Sequence, residues 1–154
     1  MKARVKLLID ILICFATGAF CGLFFNILIM KSPIPSLFPS YSEELAGKLF
    51  SINIVTGVFL FGLAVPIIEE FIFRIGLYGF LYRKAGFWGA AVISSLIFGI
   101  YHMNVVQFIY GFIMGIILCA MYHRDHRGFV PIFVHMGANL AVWLLGNVIA
   151  GWLG

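Results

Sequence analysis

Five apolar stretches, separated by polar connections, constrain this chain more than any other feature of it. They cover residues 7–30, 49–68 (continuing to 84), 87–103, 105–122 and 129–154. A hydrocarbon core about 30 Å thick takes roughly 20 helical residues to cross. Within that core every backbone N–H and C=O must find its partner inside the protein. Strands manage this only in a closed barrel, whose sequence alternates apolar and polar residues. These stretches do not alternate, so they read as an all-α polytopic transmembrane helix bundle of about five segments, one transmembrane domain over residues 1–154. Composition supports the same reading. Hydrophobic residues make up 63% and charged residues 10% of the chain, too few charges to coat a soluble domain of 154 residues. Mean hydropathy is +1.09.

The formal charge of +4 is spread over the ends of the apolar segments instead of gathered in one patch, which argues against nucleic acid as a partner. Cys14, Cys21 and Cys119 all fall inside spans and form no CxxC pair, so they read as small apolar filler. The opening MKARVK and its apolar run imitate a secretory signal. The run to Met30 is longer than a signal's apolar region, and Phe20 before Cys21 spoils a lipoprotein-type site, so an uncleaved first span is expected. Basic residues then set the orientation. With Lys2, Arg4 and Lys6 inside, successive crossings also bring Arg83, Lys84, Arg124 and Arg127 inside. The connection 31–48, with Lys31 and Lys48 against Glu43 and Glu44, lies outside. This predicts a protein of the bacterial cytoplasmic membrane with its N-terminus cytoplasmic.

The stretch 49–84 is too long for one straight span, and Pro66 is expected to kink it by removing a backbone hydrogen bond. One bent helix and a span followed by a second helix both fit. Asn104 and Gln107 sit in a very short connection, below the outer surface.

Ionisable groups inside spans cost about 2.5–3.5 kcal/mol each on insertion scales, so those present have a pairing or functional reason. They are Glu69, Glu70, Arg74, His102 and His135, with Asn139 as an uncharged companion; Asp10 lies near enough to the membrane surface to be solvated. At 1.5 Å per helical residue, Glu69 and His102 both come about 22 Å into the membrane, and His135 and Asn139 roughly 9–15 Å. Glu70 and Arg74 are four apart and pair on one helix face, which reads as structural. Glu69 points about 100° away and gains no such partner. A carboxylate beside a second carboxylate in apolar surroundings suits a general base, and His102 can share its water or proton. His135 and Asn139, also four apart, present two donors on one face, as a developing oxyanion requires. A lone buried His or Asn is more often a helix–helix hydrogen bond. Four such residues on three segments favour a site. His123 and His126, in HRDHR, read as surface residues of a solvated turn, and the abundant Phe and Gly as packing.

EEFIFR (69–74) resembles an EExxxR motif, FGIYH (98–102) an FxxxH motif and HMGAN (135–139) an HxxxN motif. These three, in this order on successive hydrophobic segments, are similar to those of the CAAX-protease and bacteriocin-processing (Abi) group of intramembrane peptidases. The matching stretch, residues 66–139, is the motif-bearing core. The resemblance implies a glutamate-dependent endopeptidase that cuts a peptide or protein substrate within the lipid bilayer and needs no cofactor. Glu69 and His102 would activate water, Glu70 and Arg74 would hold the motif helix, and His135 and Asn139 would bind the oxyanion. It also leaves a zinc-dependent alternative, since two histidines and a carboxylate satisfy zinc. Prenylated CAAX substrates belong to the family's eukaryotic branch, and bacteriocin maturation or self-immunity to the bacterial one. Members usually carry several spans ahead of the EExxxR helix. The single span here implies a homo-oligomer, a partner membrane protein or a minimal enzyme. Two other classes stay open: a non-proteolytic immunity or scaffold protein, and a proton-coupled carrier using Glu69 and His102 as a relay.

Overall fold

The computed structural model describes residues 2–38 and 52–153. Every secondary-structure element among them is helical. Helix α1 is Lys2–Met30. A single-turn helix, α2, follows at Ile34–Leu37. The next helical run begins at Ile54, where the Asn53 side chain caps it by accepting from the Thr56 N–H at 2.9 Å. It proceeds without interruption as far as Gly86, whose φ of 64° and ψ of −172° break the helix Gly79–Tyr101 in two. That backbone conformation is open to glycine and strained for other residues. We call the run before the break (residues 54–85) α3 and the run after it (residues 87–101) α4. Helices α5 (Val105–Asp125) and α6 (Phe129–Leu153) complete the bundle. Glu43, Glu44 and Lys48 of the expected outer connection, and the start of the second apolar stretch at Leu49, lie outside the described residues.

Counted as helices, 54–101 is one apolar run of 48 residues among four candidate spans. A straight helix of that length would reach about 72 Å, more than twice a hydrocarbon core. The Gly86 turn resolves this by folding the run into two crossings, which with α1, α5 and α6 gives the polytopic all-α bundle. The chain is an integral membrane protein, and the many large apolar side chains exposed on its outer faces suit lipid contact.

Residues 54–84 form one continuous helix, so the single-helix alternative is the one adopted. Pro66 does not break it. The helix widens on either side of the motif, with π-helical turns at Leu60–Ala64 and Phe71–Tyr78 flanking the α-helical Val65–Glu70. A proline has no N–H to donate and crowds the preceding turn, and a wider turn accommodates the mismatch. Such turns are frequent at functional sites.

Small residues bring the remaining helices close. Helix α1 lies along α6. A Cβ added at Gly18 would run into the Val134 carbonyl, one at Gly137 into the Phe15 carbonyl, and one at Gly22 would come within 2.8 Å of Ala138 Cα. Gly18 and Gly22 form the four-residue repeat that allows two membrane helices to touch backbone to backbone. Between α4 and α5 the same device recurs, where a Cβ at Gly115 would stand 2.8 Å from Ser95. A direct consequence follows for stability. Gly18→Leu should lower the thermal midpoint in detergent, by the equivalent of about 1–3 kcal/mol for overpacking. Ala16→Leu, at an exposed position of the same helix, should leave it unchanged.

Cross-helix contacts bring the basic clusters to one end of the bundle. Arg127, in the α5–α6 turn, pairs with Asp10 of α1 at 3.0 Å, so Asp10 has an ion-pair partner as well as solvent. Tyr82 stands 5.1 Å from His123, ring to ring, which puts Arg83 and Lys84 at that end too. His126 is exposed in the turn, as expected. His123 is a correction. Helix α5 extends about one turn further than the apolar run, so its ring is half-buried against Tyr82 and Phe87. At the opposite end Asn104 caps α5, its Oδ1 accepting from Val106 N–H (2.9 Å) and Gln107 N–H (3.3 Å). That cap satisfies the polar groups of the short α4–α5 connection.

Candidate active site

Three helices meet around a buried ionic cluster. The α-helical turn between the two widened segments of α3 carries Glu69 (6% exposed) and Glu70 (0%), and Arg74 (0%) follows one turn later. His135 (5%) enters from α6. Its Nδ1 lies 2.8 Å from Glu70 Oε1, and its Nε2 lies 3.5 Å from Glu69 Oε2. Glu70 Oε2 is 3.1 Å from Arg74 Nε, off the axis of a good hydrogen bond, so this contact is an ion pair by proximity. The imidazole thus bridges the two carboxylates, and the guanidinium closes the cluster from below. Each carboxylate thus faces a nitrogen group across the cluster, and that pairing makes the burial tolerable in a low-dielectric interior.

The depth difference expected between Glu69 and His135 is closed by the way α6 packs on α3. Among the described residues Glu69 has no partner one turn away on its own helix, and His135 supplies one from α6. Glu70 proves to hold more than its helix, because it also fixes His135.

His102 caps the end of α4. Its Nδ1 is 2.8 Å from the Phe98 carbonyl oxygen. A carbonyl can only accept, so Nδ1 carries the hydrogen and Nε2 of the neutral ring keeps a lone pair. The ring packs beside Gly111 of α5. Asn139 is half-buried, one turn beyond His135 on α6, and its side chain makes no hydrogen bond among the described residues.

In the sequence Phe98 is a motif position within an apolar run, and the structure gives it a larger part. Its ring is 2% exposed. It meets His102 edge-on at 4.9 Å, His135 edge-on at 5.7 Å and Phe73 at 5.0 Å, with the Arg74 guanidinium 4.5 Å above its centroid. The only trace of this in the sequence is the four-residue spacing to His102.

A metal fits this donor set poorly. Both Glu70 oxygens and both His135 nitrogens already face protein partners. Among the described residues no three His, Cys, Asp or Glu side chains converge to hold an ion.

Fold and site together define an all-α polytopic membrane protein with a carboxylate–imidazole–guanidinium cluster enclosed between its helices. Residues 51–141, more than half of the chain, match the family model described as type II CAAX prenyl endopeptidase Rce1-like. The chain belongs to that family. It is 41% identical over 80 residues to the putative membrane peptidase YdiL of Bacillus subtilis (strain 168), covering 52% of this chain and 33% of that protein. It is 33% identical over 100 residues to the membrane-embedded CAAX protease MroQ of Staphylococcus aureus (strain USA300), covering 60% of this chain and 40% of that one. The match therefore spans well under half the length of either relative. No solved structure matches the chain at a significant level.

Proposed function

We propose that this protein is an intramembrane endopeptidase of the CAAX- or bacteriocin-processing type that hydrolyses peptide bonds with glutamate-activated water and without a metal. The observation that carries the proposal is the buried bridge Glu69–His135–Glu70 in a chain of the type II CAAX prenyl endopeptidase family. In this reading Glu69, with the free Nε2 of His102, takes a proton from water as the oxygen attacks the peptide carbonyl carbon. The carbonyl oxygen becomes an oxyanion facing the Asn139 amide and the His135 N–H, whose charge Glu70 supports from the other side of the ring. When the intermediate collapses, the C–N bond breaks and the proton held by Glu69 passes to the leaving amine. Every proton taken from water is thereby accounted for. The basic end of the bundle is the cytoplasmic end, with the N-terminus inside.

The test is to incubate the purified, detergent-solubilised protein with a pool of membrane-derived peptides and read new termini by mass spectrometry. Cleavage should persist when a strong zinc chelator is present. Loss of cleavage on chelation would replace this mechanism with a zinc-dependent one. A folded wild type that yields no new termini would favour the non-proteolytic immunity or scaffold role.

A further inference from the structure

Both imidazoles of the site, His102 on α4 and His135 on α6, stand perpendicular to one and the same buried phenyl ring, with interplanar angles of 89° in each case. The guanidinium that anchors Glu70 also rests on that ring. His102 is tied to the same residue a second time, through the Phe98 carbonyl. A ring has few internal freedoms and little room to shift once buried, and edge-to-face contacts with it are directional. An aliphatic side chain of similar volume would fill the space without fixing the angle of either imidazole.

We propose that Phe98 is a positioning residue that sets the mutual orientation of His102 and His135, and so aligns the water-activating half of the site with its oxyanion-binding half. The inference rests on the peptidase reading above. It goes beyond it by assigning the geometry of the two halves to one non-polar side chain. His102 and His135 come from different helices and share no direct contact given by the structure, so their relative placement depends on what lies between them. Phe98 lies between them, and Phe73 braces it from the α3 side at 5.0 Å.

The discriminating comparison is Phe98→Met against Phe98→Tyr. Methionine keeps volume and apolarity but has no ring, whereas tyrosine keeps the ring. If Phe98 only fills space, methionine should serve at least as well as tyrosine, which has to bury a hydroxyl. If the ring positions the imidazoles, Phe98→Met should lose about 100-fold in kcat, as small misplacements do, with KM unchanged. Phe98→Tyr should then keep most of its activity. Rates are taken on the pool peptide that wild type cleaves fastest, for protein shown to be folded by its thermal midpoint. Phe98→Leu replaces the methionine variant if that one is not recovered folded.

A second readout is independent of catalysis. The chain has four histidines, so ring-nitrogen NMR signals of 15N-histidine-labelled protein can be assigned by substitution. Wild-type His102 should show a single tautomer protonated at Nδ1. Phe98→Met should keep that tautomer, which the backbone carbonyl sets, but displace the ring-nitrogen signals of both His102 and His135, and Phe98→Tyr should match wild type. The inference is overturned if the folded methionine variant keeps wild-type rates or wild-type imidazole signals, or if methionine and tyrosine variants lose activity alike. Failure of the peptidase reading would look different: wild type would cleave nothing, while the imidazole signals would still report on Phe98.

Discussion

Glu69→Gln should abolish peptide cleavage, lowering kcat by about 10²–10⁴-fold with little effect on KM or on thermal stability. General-base catalysis by a positioned side chain contributes about that much. The amide keeps the shape of the carboxylate and one oxygen facing His135 Nε2, but it cannot take a proton from water. Folding should tolerate the change, because the structural ion pair on this helix is made by Glu70 and Arg74, not by Glu69. The measurement is the appearance of new peptide termini over time, with circular dichroism and the thermal midpoint recorded on the same samples. Cleavage at the wild-type rate by Glu69→Gln would remove Glu69 from the mechanism and with it the glutamate-type peptidase reading.

Arg74→Met should cause the largest loss of stability of any single side-chain change near the site. Both partners of the Arg74–Glu70 pair are fully buried. Removing the guanidinium leaves two carboxylates and one imidazole in a low-dielectric interior with a net negative charge. Breaking such a pair costs about 3–5 kcal/mol. For a chain of this size that corresponds to a thermal midpoint lower by roughly 10 °C or more. Adding Glu70→Gln to Arg74→Met should recover much of the loss, since neutralising the second partner removes the uncompensated charge. It should not recover activity, because the charge that Glu70 offers to His135 at 2.8 Å is gone as well. A double variant no more stable than Arg74→Met would show that volume and packing on Phe98, not charge, set the cost.

Much of this was legible in the residues. Long apolar runs dictate membrane helices because backbone groups in lipid must pair locally, and that rule does not depend on neighbours. Glu70 and Arg74 could be paired in advance because four residues is a property of one helix. Pro66 announced a disturbance of the helix, though not its form: whether a proline kinks or widens a helix depends on what packs around it. The polar residues to watch were identifiable because each one is expensive in lipid.

The relations between helices were not legible. That His135 reaches Glu70 as well as Glu69, that Phe98 stands against both imidazoles, and that His123 is packed under Tyr82 and Phe87 all depend on how one helix is rotated and translated against another. The same holds for Gly18 and Gly137, which read as generic packing until α1 and α6 lie side by side. By itself, then, the sequence determined which segments enter the bilayer and which costly groups they carry, since both follow from local backbone satisfaction and transfer energy. Only the tertiary structure decided which of those groups share a site, because a one-dimensional spacing fixes angles within a helix and leaves the contacts between helices to the packing of small and large side chains.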